Sequence, residues 1–255
     1  MNKNELSQRQ KEILTLIIKE YTENALPLSS AFLASKITGK VSSATVRNEM
    51  LFLEERGFLI KPHISSGRIP SDKGYRYFID NIMEEKEISR ACQKKLELEL
   101  LKTKAQNARL ERTTAKLLSS MSRCLAISGL VDKKEFYDFG MNNLLESPDF
   151  AQMDEFSRLA LALDLIDENV DKILEKIKAG QTEIFVGKEN PLKEIRNCSM
   201  VVSPYLLESG EKGLVAIIGP KRMNYEKNKS LVDFIKKFLG NSKKMGMIFL
   251  LLFLS

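Results

Sequence analysis

The chain has 255 residues, of which 43% are hydrophobic and 29% charged, and a formal net charge of +6. That length suffices for two modest domains with separate cores, and the composition argues against wholesale disorder. Three scattered cysteines, Cys92, Cys124 and Cys198, argue against a disulfide framework or a structural zinc site and suit reduced thiols in a cytoplasm.

The positive charge lies in the first half. Residues 36–76 carry eight bases against four acids, residues 86–134 twelve against five, and residues 135–255 sixteen against eighteen. A basic balance of this kind suits a polyanion partner. The first residues hold no apolar run of the kind a signal peptide needs.

Leu6 to Asn24 predicts a helix, with Ser7 as N-cap and Ile13, Leu14, Ile17, Ile18 and Tyr21 at helical spacing. Pro27 interrupts it. Ser29 or Ser30 caps a short second helix bearing Phe32, Leu33 and Ile37, which Gly39 ends. Ser42 or Ser43 caps a third, Ala44 to Arg56, with Val46, Met50 and Leu53 facing inward and Gly57 closing it. Phe58–Ile60 predicts a strand, and Pro62–Pro70 a loop. Tyr75, Tyr77 and Ile79 alternate with Arg76, Phe78 and Asp80, as in a strand or a helix start. Helix, helix, helix, strand, loop, strand is the order of a winged helix–turn–helix, placed at residues 1–82.

Glu84 to Ile127 contains neither Pro nor Gly and predicts one long helix or two stacked ones, a linker over residues 83–128. Leu110, Leu117, Leu118, Met121 and Leu125 form a stripe that either packs a spacer helix or pairs two chains. Residues 129–240 predict an α+β domain. Met153–Lys178 is an amphipathic helix carrying Phe156, Leu159, Leu163, Ile166, Val170, Ile173 and Ile177. Strands come next at Glu183–Val186, Cys198–Leu206 and Gly213–Ile218, and a last helix at Asn224–Leu239. Residues 241–255 are a separate apolar tail. Its MGMIFLLLFLS is about half the length that spans a bilayer, so no membrane partner is expected.

The candidate chemistry is recognition of DNA. In a helix–turn–helix the second helix of the pair enters the major groove, and its N-terminal residues meet base edges. Here these are Ser42, Ser43, Ala44, Thr45, Arg47 and Asn48, joined to the preceding helix by a turn around Thr38–Val41. Arg can bond guanine and Asn adenine in a bidentate manner. The wing would be His63, Ser65, Ser66, Gly67 and Arg68: a flexible tip, a cation and small polar groups for phosphates or the minor groove. Lys73 and Arg76 are candidate backbone contacts. His63 is the chain's single histidine, too few for a histidine metal site. GxSxG, GxxxxGK[ST], GxGxxG and HExxH motifs are absent. No catalytic residue, cofactor or metal is expected.

LSQRQKEIL at 6–14, SSATVRNEM at 42–50, LEERGFL at 53–59 and PHISSGRIPSDKGYRYFID at 62–80 resemble the HrcA family of heat-inducible transcription repressors. NNLLESPDF at 142–150, GKENPLKEIRNCSMVVSPY at 187–205 and IGPKRMNYEKNKSLVDFI at 218–235 resemble its C-terminal region, in the same order. The resemblance implies a dimeric repressor of chaperone operons on an inverted-repeat operator, a GAF-like C-terminal part with an inserted dimerisation domain, and the GroEL chaperonin as partner. The chain is shorter than the family norm. Between Ser128 and the YDFGMNNLLE stretch there is no room for the inserted domain, and the early GAF-like strands are expected to be missing. Ala31 stands where the family usually has a base. A ligand-responsive regulator with a GAF-like sensor is the alternative, and a winged helix that binds protein a third reading.

Overall fold

A computed structural model describes residues 5–37, 41–63, 66–105, 109–150, 153–164, 166–178 and 180–240. The fold is α+β. The chain divides into two compact units: Met1–Glu84 with Lys221–Met223, and Glu85–Pro220 with Asn224–Ser255.

The first unit opens on α1 (Gln8–Asn24), which a capping box starts. The Ser7 hydroxyl accepts from the Gln10 amide at 3.3 Å, and the Gln10 side chain accepts from the Ser7 amide at 2.9 Å. Its buried Ile13, Leu14, Ile17 and Ile18 recur at helical spacing. Next come α2 (Ser30–Lys36), capped by Ser29, and α3 (Ser43–Glu55), capped by Ser42. Each cap is the earlier member of its serine pair. The expected turn between them falls on residues 38–40, outside the described residues. Leu33 of α2 and Val46, Met50 and Leu53 of α3 complete the core against α1. Burying each such side chain stabilises by about 1.5–3 kcal/mol.

Gly57, at φ 76°, takes the left-handed conformation that lets the chain leave α3. It leads into β1 (Leu59–Ile60), which pairs antiparallel with β2 (Ile69–Pro70) through Leu59↔Pro70 and Ile60↔Ile69. The strand considered for residues 75–80 is a helix instead, α4 (Asp72–Asn81). The Ser71 hydroxyl accepts from the Gly74 amide at 3.0 Å, and Tyr75 and Phe78 are buried one turn apart. That cap and helical spacing outweigh the apparent alternation.

In the second unit, the stretch read as one helix or two is α5 (Arg90–Ala105) and α6 (Leu110–Ser122), with β3 (Leu125–Leu130) after them. Helix therefore does not run to Ile127. Arg123, left-handed at φ 57°, ends α6. β4 (Glu135–Phe139) pairs with β3 from Ala126↔Phe139 to Leu130↔Glu135. The stretch expected to have lost its strands thus holds a hairpin. Beyond it come α7 (Met141–Leu145), α8 (Met153–Asp164), α9 (Ile166–Leu174), β5 (Glu183–Val186), β6 (Cys198–Leu206), β7 (Lys212–Pro220) and α10 (Tyr225–Gly240). The Phe156 and Leu159 side chains lie outside the described residues, as does the tail.

The five-stranded antiparallel sheet has the order β4-β3-β7-β6-β5. Alternation sends Leu125, Ile127, Cys198, Met200, Val202, Leu214, Ala216 and Ile218 into one core with Leu144, Val170, Ile173 and Ile195. The residues between them face α6 and α10. On that side the hydroxyls of Ser199 and Tyr225 lie 2.7 Å apart.

Candidate nucleic-acid interface

The first two turns of α3 divide sharply by burial. Val46 and Met50 are sealed in the core, whereas Ser42, Ser43, Ala44, Arg47 and Asn48 are exposed. The exposed set lies together because positions 43, 44, 47 and 48 share one helical face. Thr45 is half-buried. Its amide donates to the Ser42 hydroxyl at 3.1 Å, and the two hydroxyls lie 2.9 Å apart. Ser42 and Thr45 therefore shape the helix start more than they offer free groups. Arg47 and Asn48 have no side-chain hydrogen bond or ion pair among the described residues. A guanidinium and a carboxamide stand free on the face that the sequence marked.

The ribbon departs from expectation. His63 is exposed, and its carbonyl accepts from the Ser66 amide at 3.0 Å and the Ser66 hydroxyl at 2.7 Å, while its own amide donates to that hydroxyl at 2.9 Å. Ser65 lies outside the described residues. Gly67 and Arg68, expected at a flexible tip, are instead anchored. Leu28 and Arg68 form an antiparallel bridge through two backbone bonds of 3.0 and 2.9 Å. A Cβ built on Gly67 would lie 2.3 Å from the Leu28 carbonyl oxygen. Glycine is required there for close approach, not for mobility. The Arg68 side chain is only 14% exposed, and its Nε and Nη2 clasp Glu54 Oε2 at 2.9 and 2.8 Å. Arg68 thus ties the ribbon to α3. It is not an open cation.

Lys73 and Arg76 also differ from expectation. Lys73 Nζ donates to the Arg56 carbonyl at 2.8 Å and sits 4.4 Å from the Phe58 ring centroid. It caps the C-terminal end of α3, where a cation meets the negative pole of the helix dipole. Arg76 pairs with Asp80 at 3.2 Å, one turn along α4. Along α3 the Arg56 carbonyl that Lys73 binds lies about 12 Å from Asn48 and about 20 Å from Ser43. Lys73→Ala is accordingly expected to cost about 1 kcal/mol of stability. The slope of log affinity against log salt should stay at its wild-type value, which gel-shift titrations at several salt concentrations will read.

Three residues that the sequence did not single out matter here. Leu28 and Glu54 anchor the ribbon through contacts remote in sequence, for which no local signal exists. Lys61 is exposed just after β1 and has no ion pair among the described residues; a lysine entering a Pro/Ser/Gly loop was a readable signal. Among the described residues no group of three His, Cys, Asp or Glu could hold a metal ion. No helix among them is long and apolar enough to cross a membrane.

A two-unit α+β chain with a three-helix head and an exposed polar helix face has a solved counterpart of similar fold. That crystal structure, described only as of a hypothetical protein, superposes with a TM-score of 0.72 at 18% identity, over 92% of this chain and 98% of that one. The family model described as the HrcA protein C terminal domain matches residues 70–228. The chain belongs to the HrcA family. It is 28% identical to the heat-inducible transcription repressor HrcA of Pelotomaculum thermopropionicum, over 92% of this chain and 96% of that protein. It is also 28% identical to that of Acetivibrio thermocellus, over 91% and 94%. These alignments run over 334 and 335 positions against a chain of 255 residues, so both relatives carry residues with no counterpart here.

Proposed function

We propose that the chain represses transcription of heat-shock operons by binding an inverted-repeat operator, with residues 1–82 as a winged helix. The observation that carries this reading is the outward face of α3, where Ser43, Ala44, Arg47 and Asn48 are exposed above a sealed core. Such a face fits the major groove, with Arg47 placed for guanine and Asn48 for adenine. Ser42 and Thr45 hold the helix start. The β1–β2 ribbon is the wing, with His63, Ser66 and Lys61 as its phosphate or minor-groove contacts and Arg68 as its anchor.

A dimer would present two such faces to half-sites about 34 Å apart, one helical turn. In this reading the second unit is GAF-like and carries the pairing surface and the contact with GroEL. Neither role requires a cofactor, catalysis or a membrane, and a cytoplasmic repressor is the consistent whole.

The test is a gel-shift titration with a chaperone-operon inverted repeat beside a scrambled duplex of equal length, at moderate salt. Preference for the inverted repeat is expected, by about a thousandfold or more. Equal affinity for both duplexes would end the specific-repressor reading. Light scattering on the free protein and on the complex reports the pairing of chains.

A further inference from the structure

We propose that α6 carries a second nucleic-acid surface, a basic stripe that grips the phosphate backbone of duplex DNA without reading its bases. The stripe is Arg109, Arg112 and Lys116, all three exposed. Arg109 is the N-cap of α6, and positions 109, 112 and 116 follow the i, i+3, i+7 spacing of one helical face. Thr114, Ala115 and Leu118 of the same helix are buried and face inward. The three cations therefore line about 10 Å of outer surface. None of them makes an ion pair among the described residues.

Two of the three are held in place by rings. Tyr137 and Phe139 of β4 pair with Ser128 and Ala126, on the side of the sheet that α6 covers. The Arg112 guanidinium lies 5.2 Å from the Phe139 ring centroid, and that of Arg109 lies 5.6 Å from the Tyr137 ring centroid. Arg109 Nη1 also donates to the Tyr137 hydroxyl. A guanidinium resting on a ring keeps most of its donors, because they point outward in its own plane. A fork fixed in this way loses less entropy when it takes a phosphate. Helix stability does not account for the stripe. Arg109 stands at the positive end of the α6 dipole, where a cation is unfavourable.

The surroundings select the partner. Neither α6 nor β4 contributes an exposed large hydrophobic residue. A protein interface needs an apolar centre, and a helix lying on a membrane needs an apolar face beside its cations. A contact made of cations and polar groups alone suits a phosphate backbone. Duplex DNA presents one charge per about 1.7 Å of its axis, so a stripe of this length meets several phosphates whatever the sequence.

The test titrates the full chain against a long scrambled duplex at several salt concentrations. Arg109→Gln, Arg112→Gln and Lys116→Gln, made together, should lower the slope of log affinity against log salt by about 2.7. Between about 50 and 200 mM salt the wild type should then lose about fortyfold more affinity than the variant. Lys188, Lys193 and Arg196 are exposed bases of the same unit without an ion pair among the described residues. Their joint replacement by glutamine removes equal charge and should leave the slope at its wild-type value. Arg109→Lys with Arg112→Lys should also keep the slope, while affinity falls about threefold because an ammonium offers no fork. Circular dichroism checks that each variant folds. A wild-type slope in the first variant would overturn the proposal by denying the contact. An equal fall in the second would overturn it by reducing the effect to net charge. Loss of binding to phosphatidylglycerol vesicles in the first variant, with its DNA slope unchanged, would assign the stripe to a lipid surface instead. The proposal does not rest on base reading by α3: preference for the operator can fail while the stripe still sets the slope, and the reverse.

Discussion

Gly67→Ala is expected to loosen the ribbon and destabilise the first unit by about 2–4 kcal/mol. The substitution adds one methyl group, and the size of the effect comes from where that group must go. Its carbon would lie 2.3, 2.4 and 2.6 Å from the Leu28 carbonyl oxygen, carbonyl carbon and nitrogen, all of them backbone atoms. No side-chain rotamer relieves such a clash, so one of the two chain segments has to move. Movement breaks the pair of Leu28–Arg68 backbone bonds. It also strains the clasp between Arg68 and Glu54, which is geometrically tight and only partly exposed. A loss of this size lowers the melting temperature of a unit of this length by about 10 °C or more. Amide exchange at Leu28 and Arg68 gives the local reading. Both amides should lose protection in the variant, and wild-type protection at both would refute the account. Because the ribbon is the proposed wing, affinity for operator should fall with it. Glu54→Gln tests the same anchor more gently, since it keeps the shape and removes the charge.

Legibility in the sequence divides along physical lines. α1, α2 and α3 were legible because each announces itself locally, by a serine cap and apolar residues at helical spacing and, for α1 and α3, a stop; the stop read for α2, Gly39, lies outside the described residues, and that helix ends at Lys36. β3 was not legible. All six of its residues are buried, since helices cover the sheet on both sides, and a strand buried on both faces shows no alternation to distinguish it from helix. α4 was half legible. Ser71 before Asp72 is a readable N-terminal signal, but three aromatic or β-branched residues at every second position competed with it. In the interface, the outward face of α3 could be derived because burial of Val46 fixes which way its neighbours point. Arg68 and Lys73 could not. Their partners, Glu54 and the Arg56 carbonyl, lie 14 and 17 positions away, and a basic residue in a loop looks the same whether it faces phosphate or clasps a carboxylate. The sequence locates cations, and the tertiary contacts decide which are free.

Arg47 is a cation that has no ion pair among the described residues, and it carries the second large prediction. Arg47→Ala is expected to weaken operator binding by about 1–3 kcal/mol, roughly tenfold to a hundredfold. The loss should be specific. A guanidinium on a base edge discriminates one base pair, so the variant should bind substituted operators at that pair almost as well as the parent sequence. Binding to scrambled duplex should change little, by no more than one charge contributes to the salt slope. Stability should stay within about 0.5 kcal/mol, because Arg47 is exposed and makes no ion pair among the described residues. This combination separates Arg47 from its neighbours. Ser42→Ala removes a cap and should cost about 1 kcal/mol of stability together with affinity. Lys73→Ala should cost stability alone. Gel-shift titrations against a set of single-pair operator variants, beside thermal melts of each protein, resolve the three patterns. Should Arg47→Ala weaken operator and scrambled duplex alike, the arginine holds a phosphate, and base reading falls to Asn48 and Ser43 on the same face.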